Sequence, residues 1–516
     1  MEFISILNDV LGPVMRGPSS SHTAGSYHIG RLVRSLLGGE PVAATFTFDP
    51  HGSYAKTYLQ QGVDLALASG LLGWPITDSR FAKALTLAPR EGLRLRFRIA
   101  PLEGADHPNT VRIEAVSERG KRLKTTAQSV GGGMIVLTEL EGWPVALDGK
   151  SHEVLVLADR RLNGPIRRIV ASEGHLIGNP VRRGKGGSVF LSFKLKEPLS
   201  RAGRAQLDRL EGVRETWSAS PLFHAQKGTP LFSTGAEMIR VARARHISLG
   251  ETALAYEAQL LGISENEVVR EIRRRFEIMR GSVRQGLSGR GLRMQLLRPS
   301  AGRIFRSEAK ASLPLGGVHT RAAARAMAAL HVSNSRGIVC AAPTGGSAGV
   351  LPGVAVTLAE EKKLDGEKIA LALLAASAVG LIIARRATFA AEVAGCQVEI
   401  GAAGAMAAAA VVEAAGGSPA QAADAAAVSL QNTMGSVCDL VQGMCEIPCH
   451  TRNAVAASSA FVCADLILGG YRNPIPLDET IDAVYSSGKM LPAELRCTAL
   501  GGIAMAPSAL SLARLK

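Results

Sequence analysis

Cys438-Asp439-Leu440-Val441-Gln442-Gly443-Met444-Cys445-Glu446-Ile447-Pro448-Cys449-His450-Thr451-Arg452-Asn453 is the stretch around which the rest of the sequence arranges itself. Gly443 and Pro448 oppose helix, so the chain turns here, between Ala-rich segments whose apolar periodicity predicts helices. Cys396 lies in a second break, Ala394-Gly395-Cys396-Gln397-Val398-Glu399. Cysteines on turns at helix ends can converge on one point, and a helix N-terminus stabilises a thiolate. No Cys-x-x-Cys pair occurs, which speaks against zinc ribbons and thioredoxin-type motifs. Three thiolates would fill three corners of a cubane cluster and leave one iron open to a substrate oxygen, which is Lewis-acid chemistry rather than electron transfer. Spacing alone leaves plain packing open, because buried free cysteines are common in such helices.

The chain has 516 residues, long for one core, so about two to four domains are expected. Its 47% hydrophobic and 20% charged content is that of a globular protein. Scarce aromatics and abundant Gly and Ala favour closely packed helices. The net charge of +15 does not read as nucleic-acid binding, since the basic residues are scattered and lack interleaved aromatics that could stack bases. Residues 1–17 show no secretory pattern. The apolar run Ile369 to Ala384 is short for a span and closes on Arg385 and Arg386, so it reads as a core helix. A cytoplasmic protein without membrane or nucleic-acid partners is expected, its seven cysteines free of structural disulfides.

Three zones follow. Residues 1–150 mix helices (His28–Leu37, Gly62–Leu72) with strands (Ala43–Phe48, Leu93–Ile99, Val111–Ala115, Met134–Leu137), an α+β domain. Residues 151–222 carry a βαββαβ order: strand Val154–Ala158, a helix after Asn163-Gly164-Pro165, strand His175–Val181, the basic turn Arg182–Gly187, strand Val189–Leu195, helix Arg201–Leu210 and strand Val213–Trp217. Residues 223–516 read as all-α, with Gly-rich breaks between periodic segments.

Several blocks carry a resemblance. Ala342-Pro343-Thr344-Gly345-Gly346-Ser347-Ala348-Gly349, Gly395-Cys396-Gln397-Val398-Glu399-Ile400-Gly401, Cys438 through Asn453, and Leu495-Arg496-Cys497-Thr498-Ala499-Leu500-Gly501-Gly502 are similar to the α-domain of iron–sulfur L-serine dehydratases. Gly17-Pro18-Ser19-Ser20-Ser21-His22-Thr23-Ala24-Gly25, Gly52–Thr57, His107–Thr110 and Ser129–Gly133 resemble the β-domain, and the middle zone looks like an ACT regulatory domain.

The resemblance implies a [4Fe–4S] cluster on Cys396, Cys438 and Cys449, with no pyridoxal phosphate, and β-elimination of L-serine to pyruvate and ammonia by a homodimer. It assigns Ser19, Ser20, Ser21, His22 and Thr23 to the catalytic wall. Thr344, Gly345, Gly346, Ser347, Arg452, Asn453 and Ser129 bind substrate, with Arg452 and Asn453 alternatively supporting the cluster. By analogy with the allosteric substrate-binding domain of some phosphoglycerate dehydrogenases, His107 and Asn109 would bind effector serine; their plain reading is a turn. Cys445 reads as packing. Cys497 reads as a buried thiol, or else as a spare ligand for the open iron. One departure matters: Gln61 stands where the family commonly has His, which leaves the base open, with His22 the nearest candidate by motif. Other β-substituted amino acids, threonine or cysteine, or a weakened serine-binding regulatory homologue, are the rival readings.

Overall fold

The computed structural model describes residues 3–515, which fall into two compact units: Met1–Ser20 with Gly228–Lys516, and Ser21–Lys227. The N-terminal segment therefore belongs to the helical unit rather than to the α+β zone in which sequence reasoning put it. Its anchor is a buried carboxylate. Glu257 accepts from Ser5 Oγ at 2.6 Å and from the backbone N–H of Ile6 and Leu7 at 2.8 and 2.9 Å, capping the wide turn Ile6–Val10. Arg275 Nη1 donates to the carbonyls of Leu7 (2.7 Å) and Leu11. Beyond this turn β1 (Val14–Arg16) joins a short antiparallel ladder.

The second unit opens with the helix Gly25–Leu37 and β2 (Pro41–Phe48). The helix Val63–Leu71 follows, then β3 (Arg94–Ile99), β4 (Thr110–Ser117), β5 (Arg122–Gly131), β6 (Met134–Leu140) and β7 (Trp143–Leu147). The sheet order is β3-β2-β4-β5-β6-β7, parallel only between β2 and β3. Alternate residues of β4 and β5, such as Val111, Ile113, Leu123 and Ala127, enter the core beneath the two helices. Those helices touch through glycine: a Cβ on Gly70 would lie 2.4 Å from the Tyr27 carbonyl oxygen.

The same unit continues with β8 (His152–Asp159), the helix Asn163–Ser172, β9 (Val181–Lys185), β10 (Ser188–Leu195), the helix Arg201–Arg209 and β11 (Val213–Ala219). The order β11-β8-β10-β9, antiparallel throughout, is that of a βαββαβ sandwich. Val154, Val156, Val189, Leu191 and Phe193 face its helices. Leu155, Phe190 and Trp217 point the other way and share the core of the six-stranded sheet, with Trp143 stacked on Phe190 at 5.5 Å. One expected strand is corrected. The second strand is Val181–Lys185, not His175–Val181, so the basic stretch read as a turn is itself the edge strand. Gly178 in the left-handed region (φ 65°) and Pro180 interrupt the earlier run, and charged side chains are normal on an exposed edge.

The remaining chain is helical: Gly235–Arg245, Leu249–Leu261, Glu265–Ser288, Ala301–Ala309, Val318–Asn334, Val350–Glu361, Gly366–Arg386, Ile400–Ala414, Pro419–Gln431, Cys449–Leu468 and Leu477–Lys489 are its principal helices. Ser248, Ser264 and Ser418 open three of them with complete capping boxes. The all-α expectation needs one correction, because three short strands also occur. β12 (Ile338–Cys340) pairs with β1, and β13 (Cys438–Asp439) runs parallel to β14 (Arg496–Thr498). Ladders of two or three residues leave no periodicity to read. Among the described residues two helices are apolar and long enough to cross a membrane, but their most apolar windows are 78% and 89% buried.

Candidate metal centre

Each cysteine of the expected ligand set sits where regular structure ends. Cys396 begins the tight turn Cys396–Val398 before the helix Ile400–Ala414, Cys438 opens β13, and Cys449 is the first residue of its helix. All three are buried. The Sγ atoms of Cys396 and Cys438 and a carboxylate oxygen of Glu399 lie within 4.8 Å of one another. Cys438 is hydrogen-bonded to both Cys396 and Cys497, while Cys449 is hydrogen-bonded to Cys445 and feels the charges of Cys396 and Glu399. Five of the seven cysteines thus belong to one set of thiols.

Contact with Cys396 and Cys497, and then burial, pushes the Cys438 thiol well above its ordinary range; Cys445 and burial do the same to Cys449. Packed this way, the thiols can carry charge only against a cation, so the donor set suits a thiolate-ligated metal group. Cys497 is held in the left-handed region (φ 61°) where β13 and β14 slip register, a conformation costing a non-glycine residue about 1 kcal/mol or more.

Around the thiols stands the turn Thr344–Gly349. Thr344 Oγ1 donates to Glu399 Oε1 at 2.6 Å and lies 3.0 Å from Ser347 Oγ. A Cβ on Gly346 would fall 2.7 Å from Glu399 Oε1, and one on Gly345 2.9 Å from the Ser20 nitrogen. The turn is closed by Asn453, whose amide donates to the carbonyls of Gly346 and Cys449, both at 2.9 Å, and accepts from Gly349 N at 3.2 Å. Asn453 thus ties the turn to the first turn of the Cys449 helix. Arg452 pairs with Asp439 at 2.9 Å and donates to the Val437 carbonyl at 2.7 Å, with Cys396 Sγ at 3.9 Å. Beside Cys396 and Arg452 opens a cavity of about 300 Å³ lined by Asn432, Thr433, Ser436 and Ser459.

Glu399 had no role in the sequence reading beyond its place in a motif. Its residue surface is half-buried, yet desolvation dominates at the carboxyl and raises it to about 7, against the Thr344 hydrogen bond that lowers it. A carboxyl beside a cysteine three residues away was the available signal.

The N-terminal serine cluster divides between the units. Gly17 N–H donates to the Gly337 carbonyl at 3.2 Å, which leads Ser19 and Ser20 to the Gly345 turn. Ser21, His22 and Thr23 belong to the second unit with Ser129. There the Ser21 carbonyl accepts from Ser129 Oγ at 2.6 Å, His22 Nε2 lies 2.9 Å from Ser53 Oγ, and Thr23 Oγ1 donates to the Gln61 carbonyl at 2.8 Å. Burial lowers His22 to about 4, so its imidazole is neutral at pH 7. The His107 corner is a turn, with Asn109 N–H donating to His107 Nδ1 at 3.1 Å. The Asn109 side-chain amide, however, is buried with neither atom partnered among the described residues.

A family model described as serine dehydratase alpha chain matches residues 237–504. The chain belongs to that family. A probable L-serine dehydratase alpha chain of Bacillus subtilis is 36% identical over 281 residues, 54% of this chain and 93% of the relative. The probable beta chain of the same organism is 42% identical over 157 residues, 30% of this chain and 69% of its own length. An L-serine dehydratase of Streptomyces coelicolor is 27% identical over 504 residues, covering 95% of this chain and 96% of the relative. The family match takes in the Thr344 turn and all five clustered cysteines.

Proposed function

We propose that this chain is an L-serine dehydratase, a lyase that eliminates water from L-serine and yields pyruvate and ammonia. The observation that carries the proposal is the meeting of Cys396, Cys438 and Glu399 within 4.8 Å inside a helical unit whose relatives bear that name. Cys396, Cys438 and Cys449 would hold a [4Fe–4S] cluster with one iron left open, and Cys497 lies beside Cys438. When bound, that cluster supplies a Lewis acid that makes the β-hydroxyl a better leaving group.

The chain's own residues do the remainder. Backbone N–H groups and the hydroxyls of Thr344 and Ser347 form a polar turn suited to the substrate carboxylate. Arg452 lends positive charge beside Cys396 while Asp439 fixes its direction. Glu399 can hold or release a proton near neutral pH next to the thiols. Asn453 keeps turn and ligand helix together. His22, which the resemblance assigns to the catalytic wall, is a neutral imidazole at pH 7. Loss of the α-proton and hydroxide leaves aminoacrylate, which hydrolyses to pyruvate and ammonia.

Residues 151–222, with their ACT-like strand order, are regulatory, and the unpartnered amide of Asn109 serves an effector. Free buried thiols suit a reducing compartment, and the enzyme is a cytoplasmic homodimer. The test is anaerobic: iron content together with pyruvate formation from serine, and turnover of threonine and cysteine in parallel. Iron-loaded protein that forms no pyruvate from serine rejects the proposal.

A further inference from the structure

Behind the loop that carries Cys449, the alanine-rich core of the helical unit contains a polar nest. His331 and Asn334 stand three residues apart on the helix Val318–Asn334 and so share one of its faces. His450, next to Cys449, brings its ring to that face, where the His331 and His450 ring centroids lie 5.0 Å apart. His331, Asn334 and His450 are all more than nine-tenths buried, at 1%, 8% and 1% exposure. The Asn334 amide nitrogen donates to the Cys445 carbonyl at 2.8 Å and to His450 Nε2 at 2.9 Å, with the Leu330 carbonyl at 3.2 Å. Two carbonyls on that side identify it as the nitrogen. One side chain thus grips residues 445–450 at both ends.

These bonds leave a definite remainder. His450 accepts at Nε2, so its proton sits on Nδ1, and that donor has no partner among the described residues. The same is true of both ring nitrogens of His331 and of Asn334 Oδ1. Burial keeps the two rings neutral, lowering His331 to about 4 and His450 to about 3. A neutral imidazole is one donor and one acceptor, so the remainder is two donors and two acceptors. A metal ion would meet the two N–H groups, and an anion would meet the two lone pairs. Water offers both functions at once. The nitrogens of one ring point away from each other, so about two waters are needed to reach both on His331.

We propose that His331, His450 and Asn334 bind about two internal waters, and that this hydrated nest positions the loop bearing Cys449. The waters satisfy donors and acceptors that burial would otherwise leave unmet. They hold the His450 ring against the helix Val318–Asn334 and so fix the start of the helix Cys449–Leu468, from which Cys449 and Asn453 both project. His331 is a positioning residue that acts through His450. The water site stands on geometry; its effect on iron rests on the cluster reading given above.

Site and role are tested apart, on full-length, anaerobically prepared protein. A high-resolution crystal structure should show water density within hydrogen-bond distance of His331, His450 Nδ1 and Asn334 Oδ1. Histidine-selective nitrogen-15 NMR should find His450 protonated on Nδ1 at pH 7. Release of iron to a ferrous chelator then compares variants. His331→Met, which is adaptable in shape but cannot organise these waters, should release iron about tenfold faster, the lower end of what outer-sphere changes cost in metal affinity. It should also speed hydrogen exchange of residues 445–453 while leaving KM for serine essentially unchanged. His331→Gln, which keeps a donor and an acceptor, should restore most of the parent's slow release. Direct ring-to-ring hydrogen bonds, a metal ion in the nest by anomalous scattering, or His450 protonated on Nε2 each overturns the water site. Unchanged iron release in His331→Met, or equally fast release from His331→Gln, overturns the positioning role. If His331→Met does not fold, Asn334→Ser, which drops the grip on Cys445, takes its place with the same expectation. A parent that binds no iron refutes the proposed function instead, and density with the exchange of residues 445–453 then decides this inference.

Discussion

Cys438 bridges the thiols of Cys396 and Cys497, whereas Cys445 is hydrogen-bonded to Cys449 and is only half-buried. Cys438→Ser should abolish iron content and activity, whereas Cys445→Ala should retain most of both; iron assay and pyruvate formation decide it. Gln61 presents a different question. An amide cannot take an α-proton but can hydrogen-bond substrate, so Gln61→His should change the rate less than tenfold, under about 1.4 kcal/mol of barrier. His22→Ala should be nearly inactive. A gain of several orders of magnitude in Gln61→His would mean that a base had been lost at this position. Much of this scale was legible in the sequence, because cysteines on Gly- and Pro-broken loops are conspicuous among Ala-rich helices. Glu399 was less so: its importance comes from Thr344, 55 residues away in sequence, and from burial.

Among elements, the N-terminal strap depends most on one distant group. Glu257 satisfies the N–H groups of Ile6 and Leu7 from about 250 residues away, a pairing that local sequence cannot announce. Removing it orphans two buried donors, at about 1–3 kcal/mol each. Glu257→Ala should therefore lower the thermal midpoint, speed hydrogen exchange over residues 3–11 and impair activity by loosening the path to Ser19 and Ser20. Glu257→Gln, which keeps an acceptor, should be milder. Unchanged exchange in Glu257→Ala would refute the strap's dependence on this carboxylate. The β9 strand shows the same limit of local reading. Its residues Val181–Lys185 look like a basic turn, and only pairing with β10 makes them a strand.

Over the whole molecule the two units carry separate hydrophobic clusters, so their unfolding should be resolvable by calorimetry. The unit Ser21–Lys227 contains a pH-sensitive group. Burial raises Glu153 from an ordinary 4.5 to about 8, against the pull of Lys194. The folded state thus holds this proton more tightly than the unfolded chain. The associated stability is fully present below about pH 4.5 and is lost as pH rises through about 8. Glu153→Gln carries no such proton, so its thermal midpoint relative to the parent should rise between pH 5 and pH 9, in the transition of this unit. A difference that stays constant across that range would contradict the assignment.

Sequence by itself determined many of the helices and the breaks that carry the ligand cysteines, since helix periodicity, capping serines and Gly or Pro breaks act within a few residues of one another. It also determined that the middle segment runs βαββαβ, although not where its second strand lies. Tertiary structure alone decided that Cys445 and Cys497 join the other thiols, that Glu399 shares a proton-bearing site with Thr344, and that residues 3–20 belong with the helices. Those outcomes rest on burial and on hydrogen bonds between groups far apart in the chain, whose energies exist only once the packed interior has excluded water.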